Sequence, residues 1–183
     1  MKGVIFTEFL ELVEGKFGFD MVDDIIEACD LPSGGNYTAV GTYDHTEIVA
    51  LVVELSQRTE IPVPDLLQVY GEHLFGRFTK LYPQFFENAE NGFDFLEGVE
   101  DYIHVEVKKL YPTAELPKFE NERISPTELR LTYHSSRHLE DVAEGLIKGC
   151  MAHFDTPVEI DREGDNSDAD AGIRFLIRET KVA

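Results

Sequence analysis

Tyr133, Ser135 and Arg137 stand two residues apart in the segment YHSSRHL. In an extended chain, residues at that spacing share one face. The face would carry a phenol, an aliphatic hydroxyl and a guanidinium. All three donate hydrogen bonds, and the guanidinium keeps its charge at any ordinary pH. Three aligned donors suit an anion, and Arg meets a carboxylate with a two-pronged fork. An exposed polar strand face has the same composition. The chain as a whole is strongly acidic, with 16 Lys and Arg against 36 Asp and Glu and a net charge of −20. An inward-facing cation is therefore notable.

His104 is the second candidate. It lies within FDFLEGVEDYIHVEVKKLYP (residues 93–112), beside an apolar stripe of Leu96, Ile103, Val107 and Leu110. Two readings are open: a partly buried helical His bonded to a neighbour, or a lone metal ligand. One His does not hold a bare ion tightly, but it can be the axial ligand of haem iron, because the porphyrin supplies four further ligands. There is no CxxCH, so any haem would be held non-covalently. The two propionates of haem are carboxylates that Tyr133, Ser135 and Arg137 would suit.

The remaining chemistry-bearing residues point to less. The other histidines are His45, His73, His134, His138 and His153, and none forms HExxH. His134 and His138 have the spacing of a helical metal pair, but the alternation around them predicts a strand that ends near Arg137. Cys29 and Cys150 lack metal-ligand spacing and are expected to be reduced, buried thiols. In GDNSDADAG, Asn166, Asp168 and Asp170 have calcium-loop spacing. Ala171 stands at the required Gly position and Ile177 at the closing Glu, so a solvated hairpin loop is expected. No GxSxG, GxxxxGK[ST] or GxGxxG after a strand is present. No nucleophile and base pair can be named, and an enzyme is not expected.

The elements that must position these residues follow from periodicity. Residues 4–13 and 19–29 have helical apolar spacing; 31–44 is a Gly-rich link; His45–Arg58 is an amphipathic helix. Residues 61–82 form another helix, with Pro64 in its first turn and Pro83 ending it. Gly71 and Gly76 interrupt that helix at about 1 kcal/mol each relative to Ala. A kink, or the close approach of another body, would account for them. The helix over 93–112 ends at Pro112. Beyond it, PKFENERI and ELRLTYHSSR read as two strands joined at Ser125-Pro126. HLEDVAEGLIKGCMAHF reads as a helix, and PVEIDRE and IRFLIRE as a final hairpin. The expected fold is α+β: one domain, with an N-terminal helical lobe (about 1–60) packed on a lobe of two antiparallel hairpins and helices (about 61–183). The N-terminus lacks signal-peptide character, and no run approaches the roughly 18 apolar residues of a membrane helix. A cytoplasmic location is expected. The charge argues against nucleic acid and anionic membranes as partners.

Taken together, MKGVIF, YGEHLFGRFTKLYPQFF, the helix bearing His104, Pro117 thirteen residues later and the Tyr-x-Ser-x-Arg pattern at Tyr133, Ser135 and Arg137 resemble the H-NOX (haem nitric oxide/oxygen binding) family over nearly the whole chain. The resemblance implies haem b with His104 as the proximal iron ligand and Tyr133, Ser135 and Arg137 on the propionates, between the two lobes. It implies that Pro117 and Ile5 press on the porphyrin, that Leu146 packs over it, and that the helical lobe pivots at Gly71. Oxygen-binding members place a Tyr five residues after the Arg, with a supporting Trp and Asn. Here those positions read Val142, Phe9 and Leu74, none of which donates a side-chain hydrogen bond. With Phe78 also lining it, the pocket is expected to be apolar, to bind nitric oxide and carbon monoxide, and to discriminate against oxygen. Nitric oxide would weaken the bond from iron to His104 until it breaks, and the lobes would shift. A separate histidine kinase or cyclic-di-GMP enzyme would read that shift. Two other classes stay open: a cofactor-free acidic interaction module, and a haem carrier or haem-level sensor.

Overall fold

A computed structural model describes residues 1–163 and 172–180. The stretch 164–171, which holds Asn166, Asp168, Asp170 and Ala171 of the calcium-like pattern, lies outside them. The chain runs through α1 (Gly3–Phe17), α2 (Phe19–Ala28), α3 (His45–Thr59) and α4 (Val63–Leu81). After a 3₁₀ turn at Pro83–Phe85 come α5 (Gly92–Gly98), a π-helical turn at Val99–Ile103 and α6 (His104–Leu110). Next are β1 (Lys118–Ser125), β2 (Glu128–His134), α7 (Glu140–His153), β3 (Val158–Glu163) and β4 (Ile173–Glu179). The four strands form one antiparallel sheet in the order β1-β2-β4-β3. The architecture is the expected α+β one.

Local chemistry sets the boundaries. Asp44 caps α3 by accepting from the Thr46 amide at 2.9 Å, and Asn91 caps α5 by accepting from Asp94 at 3.0 Å. Pro64 sits in the first turn of α4, where its missing N–H costs nothing. Two expectations are corrected. The helix over 93–112 is not regular: it runs from Gly92 to Leu110, and its middle turn widens into a π-turn just before His104. Strand β2 ends at His134, so Ser135 and Arg137 lie in the turn that follows it rather than on a strand face. His134 and His138 share no helix, and His138 has a left-handed backbone with φ of 50°. Among the described residues no group of three or more His, Cys, Asp or Glu could hold a metal ion. Cys150 is buried as expected, whereas Cys29 is only half-buried.

The apolar residues gather in two clusters. One unites α1, α2 and α3 with the first half of α4, around Phe6, Phe9, Ile25, Leu51, Leu55, Tyr70 and Leu74. The other unites Phe75 with α5, α7 and the sheet, around Leu129, Leu131, Ile147, Met151, Phe175 and Ile177. Alternation delivers the sheet's share: Leu129, Leu131 and Tyr133 of β2 all face inward. Leu74 and Phe75 are neighbours in sequence yet belong to different clusters. Helix α4 is thus common to both.

The fold turns on the contact between α4 and α7. A Cβ on Gly71 would lie 2.3 Å from the Val142 carbonyl oxygen, and one on Gly145 would lie 2.1 Å from the Gln68 carbonyl oxygen. The two backbones touch, which accounts for Gly71 in mid-helix. Gly76 has open space around it, and nothing in the structure explains it. No helix among the described residues is long and apolar enough to cross a membrane. Two opposite outcomes follow for urea unfolding. Gly145→Val forces the helices apart and lowers stability by about 1–3 kcal/mol, the usual range for overpacking. Gly76→Ala adds no clash and raises it by about 0.4–1 kcal/mol.

Candidate functional site

Between α4, α7, the α5–α6 segment and the sheet lies a cavity of about 400 Å³. That is the size range of sites for small molecules and cofactors. Its walls are mainly apolar: Ile5 from α1, Leu74, Phe75 and Phe78 from α4, Val142 and Leu146 from α7, and Pro117 ahead of β1. His104, Tyr133, Ser135 and Arg137 line it as well. Ten of the eleven residues singled out in the sequence are therefore brought to one cavity. Phe9 is not among them. Its ring is buried in the N-terminal cluster, set edge-on to Tyr70 at 5.4 Å between centroids.

His104 opens α6, directly after the π-turn. Its side chain is 13% exposed, and its Nδ1 lies 3.0 Å from the Glu100 carboxylate. The same Glu100 oxygen accepts from the Phe119 amide of β1 at 3.1 Å. Burial holds the imidazole below its ordinary pKa, with Glu100 opposing this in part. A neutral ring beside a carboxylate carries its proton on Nδ1, which leaves the Nε2 lone pair available to a metal. The His104, Phe119 and Tyr133 rings follow one another at 5.8 Å and 5.5 Å. They connect the imidazole to the polar end of the cavity.

At that end a turn gathers the donors. The Ser135 hydroxyl accepts from the Arg137 amide at 3.2 Å, which fixes the turn that aims the guanidinium. Burial pushes the Tyr133 phenol above its ordinary pKa, so it stays a donor. Among the described residues, the Arg137 guanidinium is engaged by Glu115, through both its backbone carbonyl and its carboxylate. Sequence spacing does not reveal this partner, since 22 residues separate the two. Glu100 could have been found, because it lies four residues before His104. Also unforeseen are the Tyr82 and Tyr111 hydroxyls, paired at 3.1 Å in the cavity wall. Burial, aided by this bond, pushes Tyr82 up to about 12.

A large apolar cavity, one imidazole with a free Nε2 and a cluster of donors for carboxylates together fit a haem. His104 would hold the iron, and Tyr133, Ser135 and Arg137 the propionates.

Comparison with known proteins agrees. The family model described as Haem-NO-binding matches residues 2–162. The unliganded Fe(II) H-NOX protein from K. algicida is 40% identical, with a TM-score of 0.93, covering 100% of this chain and 98% of that one. The H-NOX from Shewanella woodyi, solved in the Fe(II)CO state with IWP-051 bound, is 39% identical, with a TM-score of 0.83 and coverage of 98% and 95%. The H-NOX protein from S. oneidensis in the Fe(II)NO state is 25% identical, with a TM-score of 0.91 and coverage of 99% and 100%. A search of curated protein sequences finds no match. The part-buried His104 imidazole, the cavity it lines and these likenesses lead to one conclusion: the chain belongs to the Haem-NO-binding family, the H-NOX domains, which are haem-based gas sensors.

Proposed function

We propose that this protein senses nitric oxide through a non-covalent haem b and signals the event to a separate effector. One observation carries the reading. His104 offers a neutral Nε2 in the cavity where Tyr133, Ser135 and Arg137 converge. Bound there, ferrous haem supplies the iron that takes up the gas. The S. oneidensis relative is solved with nitric oxide and the S. woodyi relative with carbon monoxide, which supports both as ligands.

The chain's own residues supply selectivity. Bound oxygen draws negative charge and is stabilised by a nearby donor; nitric oxide and carbon monoxide depend on one much less. Leu74 and Val142 line the cavity, and neither has a donor. The Tyr82 and Tyr111 hydroxyls share one hydrogen bond, which ties up one of their two O–H groups. The Tyr70 hydroxyl donates to the Ile5 carbonyl within the N-terminal cluster, where its ring packs edge-on to Phe9. The cavity therefore discriminates against oxygen.

The same residues convert binding into movement. His104 would hold the iron, and its loss from the iron when nitric oxide binds would be the switch. Ile5 and Pro117 press on the cavity from opposite lobes, about 1–60 and about 61–183, and relax when His104 lets go. A difference in packing between two states is what a partner can read. A histidine kinase or cyclic-di-GMP enzyme in the cytoplasm, docking by a basic face on this acidic chain, suits the role. No catalytic step is assigned to the chain itself.

The absorption spectrum of the purified ferrous protein tests the reading directly. Air should leave it unchanged, and nitric oxide without air should shift it to the form that has lost its His ligand. A colourless protein that takes up no added haem points instead to an interaction module, and haem without a nitric oxide response to a haem carrier. Val142→Tyr should create an oxygen complex, seen as a new spectrum in air; its failure to do so removes the selectivity argument. His104→Gly with imidazole bound to the iron should lose the lobe movement, followed by small-angle scattering or NMR. If movement under nitric oxide persists with the imidazole still attached, release is not the switch.

A further inference from the structure

Arg137 already holds a carboxylate. Its Nη2 lies 2.7 Å from Glu115 Oε2, and its Nη1 lies 2.8 Å from the Glu115 backbone oxygen. The two partners differ in surroundings: the Arg137 side chain is 15% exposed and that of Glu115 is 86% exposed. The guanidinium is fixed in the cavity wall, whereas the Glu115 carboxylate can turn into water at little cost. Glu115 also lines the cavity, two residues before Pro117. It thus offers Arg137 the chemical group that a propionate would offer, at the same fork.

We propose that Glu115 is an internal competitor for the carboxylate subsite at Arg137, and so sets how tightly the cofactor is retained. The assignment rests on the haem reading above. A propionate that binds Arg137 displaces the Glu115 carboxylate, while the Glu115 carbonyl stays as a neutral second partner for the guanidinium. The alternative for such a pair is support, in which Glu115 holds Arg137 in its working position. The two make opposite predictions, because loss of a competitor strengthens binding and loss of a support weakens it.

The test is the rate at which haem leaves the ferric protein for excess apomyoglobin, a readout independent of gas sensing. An exposed carboxylate–guanidinium pair is a weak interaction, so Glu115→Gln should retain haem about two- to fivefold longer than wild type. The gain should vanish in an Arg137→Met background. It should also vanish with the dimethyl ester of haem, whose propionates carry no charge. Faster loss from Glu115→Gln overturns the proposal in favour of support. A gain that persists with Arg137→Met overturns it in favour of simple charge repulsion between Glu115 and the propionates, and one that persists with the ester overturns it in favour of an effect that involves no propionate charge. A wild-type protein that takes up no haem overturns both this assignment and the haem reading. A wild type that holds haem while Glu115→Gln is unchanged overturns Glu115 alone.

Discussion

Everything in this molecule hangs on two helices whose backbones touch. α4 and α7 meet at Gly71 and Gly145 with no room for a side chain between them. Close approach at that point leaves the larger side chains on either side to splay outward. Leu74, Phe75 and Phe78 from one helix, and Val142, Leu146 and Ile147 from the other, then form one continuous apolar wall. A protein interior normally closes to the density of an organic crystal, so a cavity of this size persists only where its walls are held apart by rigid elements. The sheet supplies the opposite wall through Leu131 and Tyr133.

The polar groups are few, and each is held by a specific neighbour. The Glu100 carboxylate binds the His104 ring and the Phe119 amide through the same oxygen. It thereby selects the imidazole tautomer and ties the His104 segment to β1. The π-turn matters here, because Glu100 lies within it and His104 directly follows it. Such turns recur at functional sites. At the other end, a short turn replaces the strand that alternation predicts. The donors converge because the chain bends after His134, with the Ser135 hydroxyl closing the bend.

Legibility in the sequence followed the range of the interactions. Helices and strands with strong periodicity were readable, as was the change from period 3.6 to period 2 near Pro112. His104 and the Tyr133, Ser135 and Arg137 set could be named from residue type and spacing. Their common destination needed the family resemblance, because no local pattern says that residues 104 and 137 meet. Contacts between distant segments were silent: Glu115 on Arg137, Tyr111 on Tyr82, and Gly145 on Gly71. Gly71 shows the distinction well. Its cost in a helix was visible, but the body that approaches it was not. Phe9 shows the converse, since a position matched along the chain does not fix where a ring of different shape will pack.

The division of α4 between two apolar clusters limits how the molecule can deform. Leu74 belongs to one cluster and Phe75 to the other, so the boundary between them crosses the helix within a single peptide unit. Neither cluster can slide along α4 without dragging the helix out of the other. With Gly71 wedged against α7, translation is blocked on that side too. The two clusters are therefore coupled through one shared helix, so a displacement of the N-terminal helices against α4 is felt by α7 and the sheet on its far side.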